Sequence, residues 1–437
     1  MNNHRWKPFI IGIALFTLSV TTAMSAEPEK AHKNVLYGIG EPLVHTGINS
    51  DKSSKSFRDI EYILEAMNFG AIREWMHIPY VLDNPTQVNP LRKKSYDDAL
   101  ELYKRLGIEI TGMSHQWYIV DQSGNVSPSD GKMYRRNTAE GSPYLQSLAM
   151  IEQAWKTMAK NFPQVTQWEV GNEWNTSDFL NVYPETDKPL TDEERIEIAT
   201  DMMYYAYRGI KAGNPAAQVV SFSPTISIPK FLQKNGSEKM VPFTNPGYSI
   251  ALALSRVYDN IASGDFPAGM PADTNPDHYF DIVAWHPYMY TGMNPSIASE
   301  TFPGQGRFYR EEHIDALWQN INDNAYNVMV MNGDADKKVI LTEMGFCDMQ
   351  DPQKEEAHLQ EYERMFKMIS ESMPYIKTVH VFRLLTADAF NSNQEAAFGL
   401  FKEEIDSAGD GKMRLFKPRK KAYTLQKIMG GTLPLKR

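Results

Sequence analysis

Apolar residues along this chain recur with two alternating periods. Short runs rich in β-branched and aromatic residues predict strands. Between them lie longer stretches whose apolar positions return every three or four residues, which predict helices. Eight such pairs are legible. A strand over Val35–Ile39 precedes a helix over Ser56–Phe69, Ala71–Met76 precedes Tyr96–Leu106, Ile108–Ser114 precedes Tyr144–Asn161, and Gln167–Gly171 precedes Asp192–Ala212. The second half repeats the scheme with Gln218–Ser223 and Ile250–Ser263, Phe280–His286 and Glu311–Met329, Lys338–Glu343 and Lys354–Met373, and Lys377–Leu384 and Lys421–Met429. Gly70, Gly107 and Gly213 fall where helices should stop. Eight strand–helix units predict an α/β chain closed into a single (β/α)8 TIM barrel. An open, doubly wound sheet would usually carry a glycine-rich phosphate turn after its first strand, and YGIGEPL does not make one.

The connections are uneven. Most links from a helix to the next strand are short, whereas Val120–Pro143, Asn175–Leu190, Ser227–Tyr248, Met289–Arg307 and Ala387–Arg419 are long. All of these leave C-terminal ends of strands, the barrel face on which sites are built. Asp265–Asp277 is also long but precedes the sixth strand, so it belongs to the opposite face.

Composition narrows the setting. At 437 residues and 42% hydrophobic, the chain can bury a large core. Its net charge of −9 and the lack of a clustered basic stretch argue against nucleic acid or an anionic membrane as partner. Residues 1–26 read as a secretory signal: Arg5 and Lys7, then an apolar run Phe9–Val20 too short to span a bilayer, then small residues up to Ala26. The expected mature domain is 27–437, exported to the periplasm or beyond the cell, with no stable membrane insertion. Cys347 is the lone cysteine, so no intrachain disulfide is possible.

Two segments carry the chemistry. Trp168–Trp174 reads WEVGNEW and Val339–Phe346 reads VILTEMGF, so Glu173 and Glu343 each close an apolar strand. Two carboxyl groups at strand ends on one barrel face are what glycosidic bond cleavage requires, one as proton donor and one as nucleophile. Glu173 suits the donor role because Trp168 and Trp174 lie close in sequence and could desolvate it. Glu343 suits the nucleophile role if a cation and a hydroxyl hold its charge, for which Arg73 and Tyr288 are candidates. Arg73 precedes Glu74, so an internal ion pair is the plain alternative. Asn172 can donate to a sugar hydroxyl or simply cap a turn. In AWHPYMY, His286 and Tyr288 share one side of an extended chain. His115 and Gln116 are further contact candidates. Trp75, Trp117, Trp174 and Trp285 fall at strand ends, where rings stack on sugars or merely pack.

The pairing of GNE on the fourth strand with TE on the seventh resembles clan A of the glycoside hydrolases, retaining enzymes on this barrel. The resemblance implies Glu173 as acid/base, Glu343 as nucleophile and Asn172 as the 2-hydroxyl contact. Arg73, His286 and Tyr288 match the arginine and His-x-Tyr pair of family 5, whereas AFGLF at Ala397–Phe401 with KPRKKAY at Lys417–Tyr423 is more similar to families 39 and 51. Many clan members place a tryptophan at the end of strand eight. This chain reads VFRLLTAD, so either another aromatic forms that floor or Arg383 meets an acidic or sulfated sugar there.

The expected function is a retaining β-glycoside hydrolase acting on an oligo- or polysaccharide, with no metal and no organic cofactor. Substrate contacts are expected from Asn172, Arg73, His286, Tyr288, His115, Trp117, Trp174 and Trp285. A transglycosylase, a non-catalytic carbohydrate-binding barrel and an unrelated lyase or aldolase are the alternatives. DSAGDG at Asp406–Gly411 lacks calcium-loop spacing and reads as a hairpin turn. His45, His77, His115 and His286 are too scattered in sequence to mark a metal site.

Overall fold

A computed structural model describes residues 35–40, 44, 55–225, 250–264, 273–288, 314–346, 352–386, 398–405 and 414–435. The signal segment, His45, Ser227–Tyr248, Met289–Arg307, Cys347 and Asp406–Gly411 lie outside the described residues.

Eight strands, all parallel, close into the expected barrel. They are β1 (Leu36–Gly40), β2 (Ala71–Trp75), β3 (Glu109–Ser114), β4 (Gln167–Val170), β5 (Gln218–Val220), β6 (Ile282–Trp285), β7 (Lys338–Met344) and β8 (Ile376–Val381). The pairing Ile39↔Val381 between β1 and β8 closes the ring. The helices are α1 (Lys55–Met67), α2 (Pro90–Arg105), α3 (Pro143–Asn161), α4 (Asp192–Gly213), α5 (Ile250–Ser263), α6 (Ile314–Met331), α7 (Pro352–Ser372) and α8 (Lys420–Met429).

The core divides in two. The large cluster lies between strands and helices and includes Trp155, Trp168, Trp285, Met329, Phe366 and Leu425. A small separate cluster of Val220, Ile282, Ala284 and Ile340 fills part of the barrel interior. Beside it, Thr111 Oγ1 donates to Gln167 Oε1 at 3.1 Å, so inward-facing polar groups satisfy each other.

Local signals explain most boundaries. Thr191 and Glu194 form a reciprocal capping box that starts α4 at the expected residue. Apolar periodicity places the start of α2 too late, at Tyr96. Asn89 caps Leu91 and Arg92, and Pro90 fits the first turn, so the helix starts six residues earlier on a charged stretch without apolar periodicity. Of the three expected helix-stopping glycines, only Gly107 adopts the left-handed conformation, at φ +71°. Asn68 takes that role beside Gly70. Gly213 instead lets α4 approach α3, because a Cβ there would lie 2.4 Å from the Lys156 carbonyl oxygen.

Small hairpins decorate the C-terminal face. Gln116–Val120 pairs antiparallel with Val126–Asp130, and Asn181–Tyr183 pairs with Lys132–Tyr134, tying the loops after β3 and β4 together. Phe401–Ile405 pairs antiparallel with Arg414–Pro418, the arrangement expected on either side of a hairpin turn. The loops after β3, β4 and β8 therefore carry strands that the barrel pattern does not announce.

Gly209 on α4 faces Glu152 so closely that an added Cβ would lie 2.2 Å from its carbonyl oxygen. Alanine is the better helix former by about 1 kcal/mol. Overpacking typically costs about 1–3 kcal/mol and should win. We therefore expect Gly209→Ala to lower the urea midpoint; a raised midpoint would contradict the close α3–α4 packing.

Candidate active site

The end of β4 turns sharply into the mouth of the barrel. Gly171 has φ +89°, and a Cβ on it would sit 2.3 Å from the Trp174 ring. Glu173 also adopts a left-handed conformation, φ +47°, which is uncommon for a residue other than glycine. Its backbone N–H donates to Ser223 O at 3.1 Å, fixing the turn to the chain leaving β5. This turn presents the Glu173 carboxyl to His286, the residue that follows β6, at 2.7 Å from its Nδ1.

Glu343 reaches the same point by a different irregularity. Strand β7 pairs Leu341 with Val379 but Met344 with Val381, so it carries one extra residue. A bulge interrupts the in–out alternation and re-aims a side chain. As a result, both Thr342 and Glu343 bond groups inside the mouth, although they are neighbours in sequence.

Arg73 on β2 joins these elements. Its Nε donates to Glu169 Oε2 at 2.5 Å and its Nη1 to Glu343 Oε1 at 2.5 Å. Its Nη2 donates to Glu169 Oε1 at 3.0 Å and to Asn172 Oδ1 at 2.6 Å. The side chain is fully buried. Glu74, by contrast, points away from the axis and accepts from the Tyr103 hydroxyl and the Val44 N–H. The internal Arg73–Glu74 pair is thus replaced by long-range partners. Arginine only donates, so the Asn172 atom facing it is the oxygen, which leaves the amide NH2 to be presented elsewhere.

The two glutamates differ in their partners. Glu343 Oε2 accepts from the Tyr288 hydroxyl at 2.7 Å, and Oε1 from Arg73. Glu173 Oε1 lies 2.7 Å from His286 Nδ1. One oxygen of each glutamate and one His286 nitrogen all lie within 4.8 Å of one another. Burial pushes the Glu173 carboxyl above the ordinary carboxylate range, and the neighbouring Glu343 charge adds to this; a charged His286 would oppose both. Burial alone would raise Glu343 as well. The charges of His286, when protonated, and of Arg73, with hydrogen bonds from Tyr288 and Arg73, outweigh it, and the net shift is downward.

Behind this front, Ser223 Oγ donates to Glu169 Oε1 at 2.5 Å and lies 2.6 Å from Thr342 Oγ1. Thr342 Oγ1 lies 2.9 Å from His286 Nε2. Glu169, Ser223 and Thr342 were not among the sequence candidates. Glu169 was legible in principle, since a glutamate at an inward position of a barrel strand demands a cation.

The other candidates fall into place unequally. His115 is nearly buried against His77, with ring centroids 4.4 Å apart, and burial lowers its pKa to about 4. Gln116 turns outward to Asp130. Trp285 corrects its expectation: it is fully buried and its Nε1 donates to Asn322 on α6, so it packs the outside of the barrel. Trp117 and Trp174 are nearly buried and meet edge to face at 5.6 Å. Trp168 points outward onto Trp155 and is on the wrong side to desolvate Glu173. Alternation along the barrel strands places Trp168 and Trp285 beside the inward Glu169 and His286. At the end of β8, the Phe382 ring lies 6.4 Å from that of Tyr288 and 5.5 Å from that of Phe398, and the Arg383 guanidinium lies 5.5 Å from the Phe382 ring centroid. Asn175 is buried and bonded to Thr225.

Glu173, His286 and Glu343 are the one grouping among the described residues that could hold a metal ion. Their geometry fits protons better. Nδ1 and Glu173 Oε1 are already at hydrogen-bond distance, and Nε2 is engaged by Thr342.

No protein-family model matches the chain, and no curated protein sequence matches it either. Solved structures do share its fold. A β-glycosidase called BGL167 aligns over 92% of this chain and 98% of its own, with a TM-score of 0.52 and 13% identity. A family 1 β-glucosidase from Thermotoga maritima aligns over 91% of this chain and 98% of its own, with a TM-score of 0.52 and 15% identity. A β-glucosidase from the same organism in complex with castanospermine gives the same coverage and TM-score at 13% identity. The chain therefore has the barrel fold of these glycosidases.

Removing one partner of a buried ion pair typically costs about 3–5 kcal/mol. Glu169→Gln should therefore lower unfolding stability in denaturant titrations by that order, far more than an exposed Glu→Gln control; equal effects would mean Arg73 does not depend on Glu169.

Proposed function

We propose that the chain is a retaining β-glycoside hydrolase in which Glu173 is the acid/base and Glu343 the nucleophile. The observation that carries this reading is the separation of the two carboxyl groups. Retaining enzymes hold them roughly 5–5.5 Å apart, and inverting enzymes roughly 6.5–9.5 Å apart to admit a water. Oxygens of Glu173 and Glu343 within 4.8 Å suit direct attack. The barrel fold shared with glycosidases supports the same class.

The environments divide the labour. Glu343, held by Arg73 and Tyr288, is ionised and attacks the anomeric carbon. Glu173, buried and bonded to the His286 ring rather than to a guanidinium, keeps its proton and delivers it to the departing oxygen. The resulting carboxylate then takes a proton from water, and the hydroxide so generated releases the sugar from Glu343. The free NH2 of Asn172 is suited to the 2-hydroxyl. His115 and the Phe382 ring flank this centre as further contacts. The substrate is an oligo- or polysaccharide. The apolar run and small residues of positions 1–26 support export, with residues 27–437 as the working domain.

Two experiments test this reading. Glu343→Gln should abolish turnover, and Glu173→Ala should keep slow cleavage of activated aryl glycosides that azide accelerates; an inverted product with no azide rescue would overturn the mechanism. In the wild type, kcat/KM should fall as pH drops through the lowered Glu343 value, because the nucleophile is then protonated. It should also fall as pH rises through the raised Glu173 value, because the acid is then lost. A pH profile that keeps its alkaline limb in Glu173→Ala would refute the assignment of the acid.

A further inference from the structure

Between Glu173 and Glu169 runs an unbroken series of short contacts: Glu173 Oε1 to His286 Nδ1 at 2.7 Å, His286 Nε2 to Thr342 Oγ1 at 2.9 Å, Thr342 Oγ1 to Ser223 Oγ at 2.6 Å, and Ser223 Oγ to Glu169 Oε1 at 2.5 Å. The far end is fixed. Glu169 is gripped by two Arg73 nitrogens, so it is ionised and can only accept. Each hydroxyl has one proton to place. Ser223 must donate to Glu169, since otherwise two oxygens would face each other at 2.5 Å with no proton between them. Thr342 must then donate to Ser223, for the same reason at 2.6 Å. An alternative contact, from Thr342 to Glu169 at 3.2 Å, uses the same Thr342 proton. In neither arrangement does Thr342 have a proton left for His286, so His286 Nε2 must be the donor.

We propose that Thr342, Ser223 and Glu169 are positioning residues that fix His286 as its Nε2–H tautomer, so that the Nδ1 lone pair accepts a hydrogen bond from the protonated Glu173 carboxyl. The proposal rests on the reading of Glu173 as the acid. It gives His286 a role beyond contact: a neutral ring that accepts from the protonated acid and opposes the carboxylate. Full burial of His286 favours this neutral pair over an imidazolium–carboxylate pair, which would need two further charges out of water. Among the described residues, the other charged or titratable groups facing the pair are Glu343 from β7, Arg73 from β2, Glu169 from β4, Tyr288 beyond β6 and His380 from β8, the last kept neutral by burial. No proton travels along the series; it sets only the direction of each hydrogen bond. After Glu173 gives its proton to the leaving oxygen, its carboxylate faces a lone pair. This makes it a stronger base toward the water that completes the cycle.

The test pairs a spectroscopic and a kinetic measurement on the intact protein. In 15N NMR of histidine-labelled protein, the His286 ring, assigned by its loss in His286→Gln, should show a protonated Nε2 and an unprotonated, hydrogen-bonded Nδ1. Thr342→Val and Ser223→Ala should shift this balance toward Nδ1–H and move the alkaline limb of kcat/KM down by about one pH unit. They should slow aryl glycosides with poor leaving groups much more than those with good ones, which need no acid. Thr342→Ser, which keeps the hydroxyl, should restore both signatures if it folds as the wild type does. A wild-type ring protonated at Nδ1 would overturn the proposal, as would an unchanged tautomer and alkaline limb in folded Thr342→Val or Ser223→Ala. Because the nitrogen spectrum does not depend on turnover, a protein with the expected tautomer but no glycosidase activity would refute the acid assignment while leaving the hydrogen-bond series intact.

Discussion

A buried guanidinium organises this molecule. Arg73 has no access to water, and every nitrogen it carries is spent on a group from another strand. A charge so placed would be prohibitively costly alone, so its partners are held as firmly as it is. It draws Glu169 inward, keeps Glu343 ionised and turns the Asn172 amide. It also sets the charge balance around Glu173. One guanidinium faces two carboxylates before Glu173 is counted, so the buried region is already negative. A third carboxylate would find no compensation from Arg73: burial and the Glu343 charge both raise Glu173, and contacts with His286 and Thr225 oppose them without reversing the shift.

Backbone irregularity places the two carboxyl groups. In an unbroken parallel strand, alternate side chains face the axis, and adjacent residues cannot both reach it. The bulge in β7 relaxes that rule for Thr342 and Glu343, and the left-handed Glu173 relaxes the geometry at the end of β4. Each departure is over-determined by its surroundings: Trp174 fills the space that only Gly171 leaves, and Ser223 O holds the Glu173 amide. Strain of this kind persists only where the neighbouring structure enforces it.

The aromatic residues follow the same in–out logic with the opposite result. Trp168 and Trp285 sit next to inward polar residues and so face outward, where helices α3 and α6 cover them. Among the described residues, Tyr288, Phe382 and Phe398 bring rings to the mouth from beyond the ends of β6 and β8, where alternation no longer applies.

The sequence alone determined the eight strand–helix units, the single parallel barrel, the capping box of α4, and the two strand-terminal glutamates with Asn172, Arg73, His286 and Tyr288 beside them. These are local patterns, written in periodicity and in residue type at strand ends. Tertiary structure decided the rest. It chose Glu169 over Glu74 as the partner of Arg73, recruited Ser223 and Thr342, and sent Trp168 and Trp285 outward. It also began α2 at a cap rather than at an apolar period, and built hairpins into the loops. Each of these depends on which groups from distant strands meet in a space closed to water, and the need to satisfy a buried charge or hydrogen-bonding group has no period along the chain.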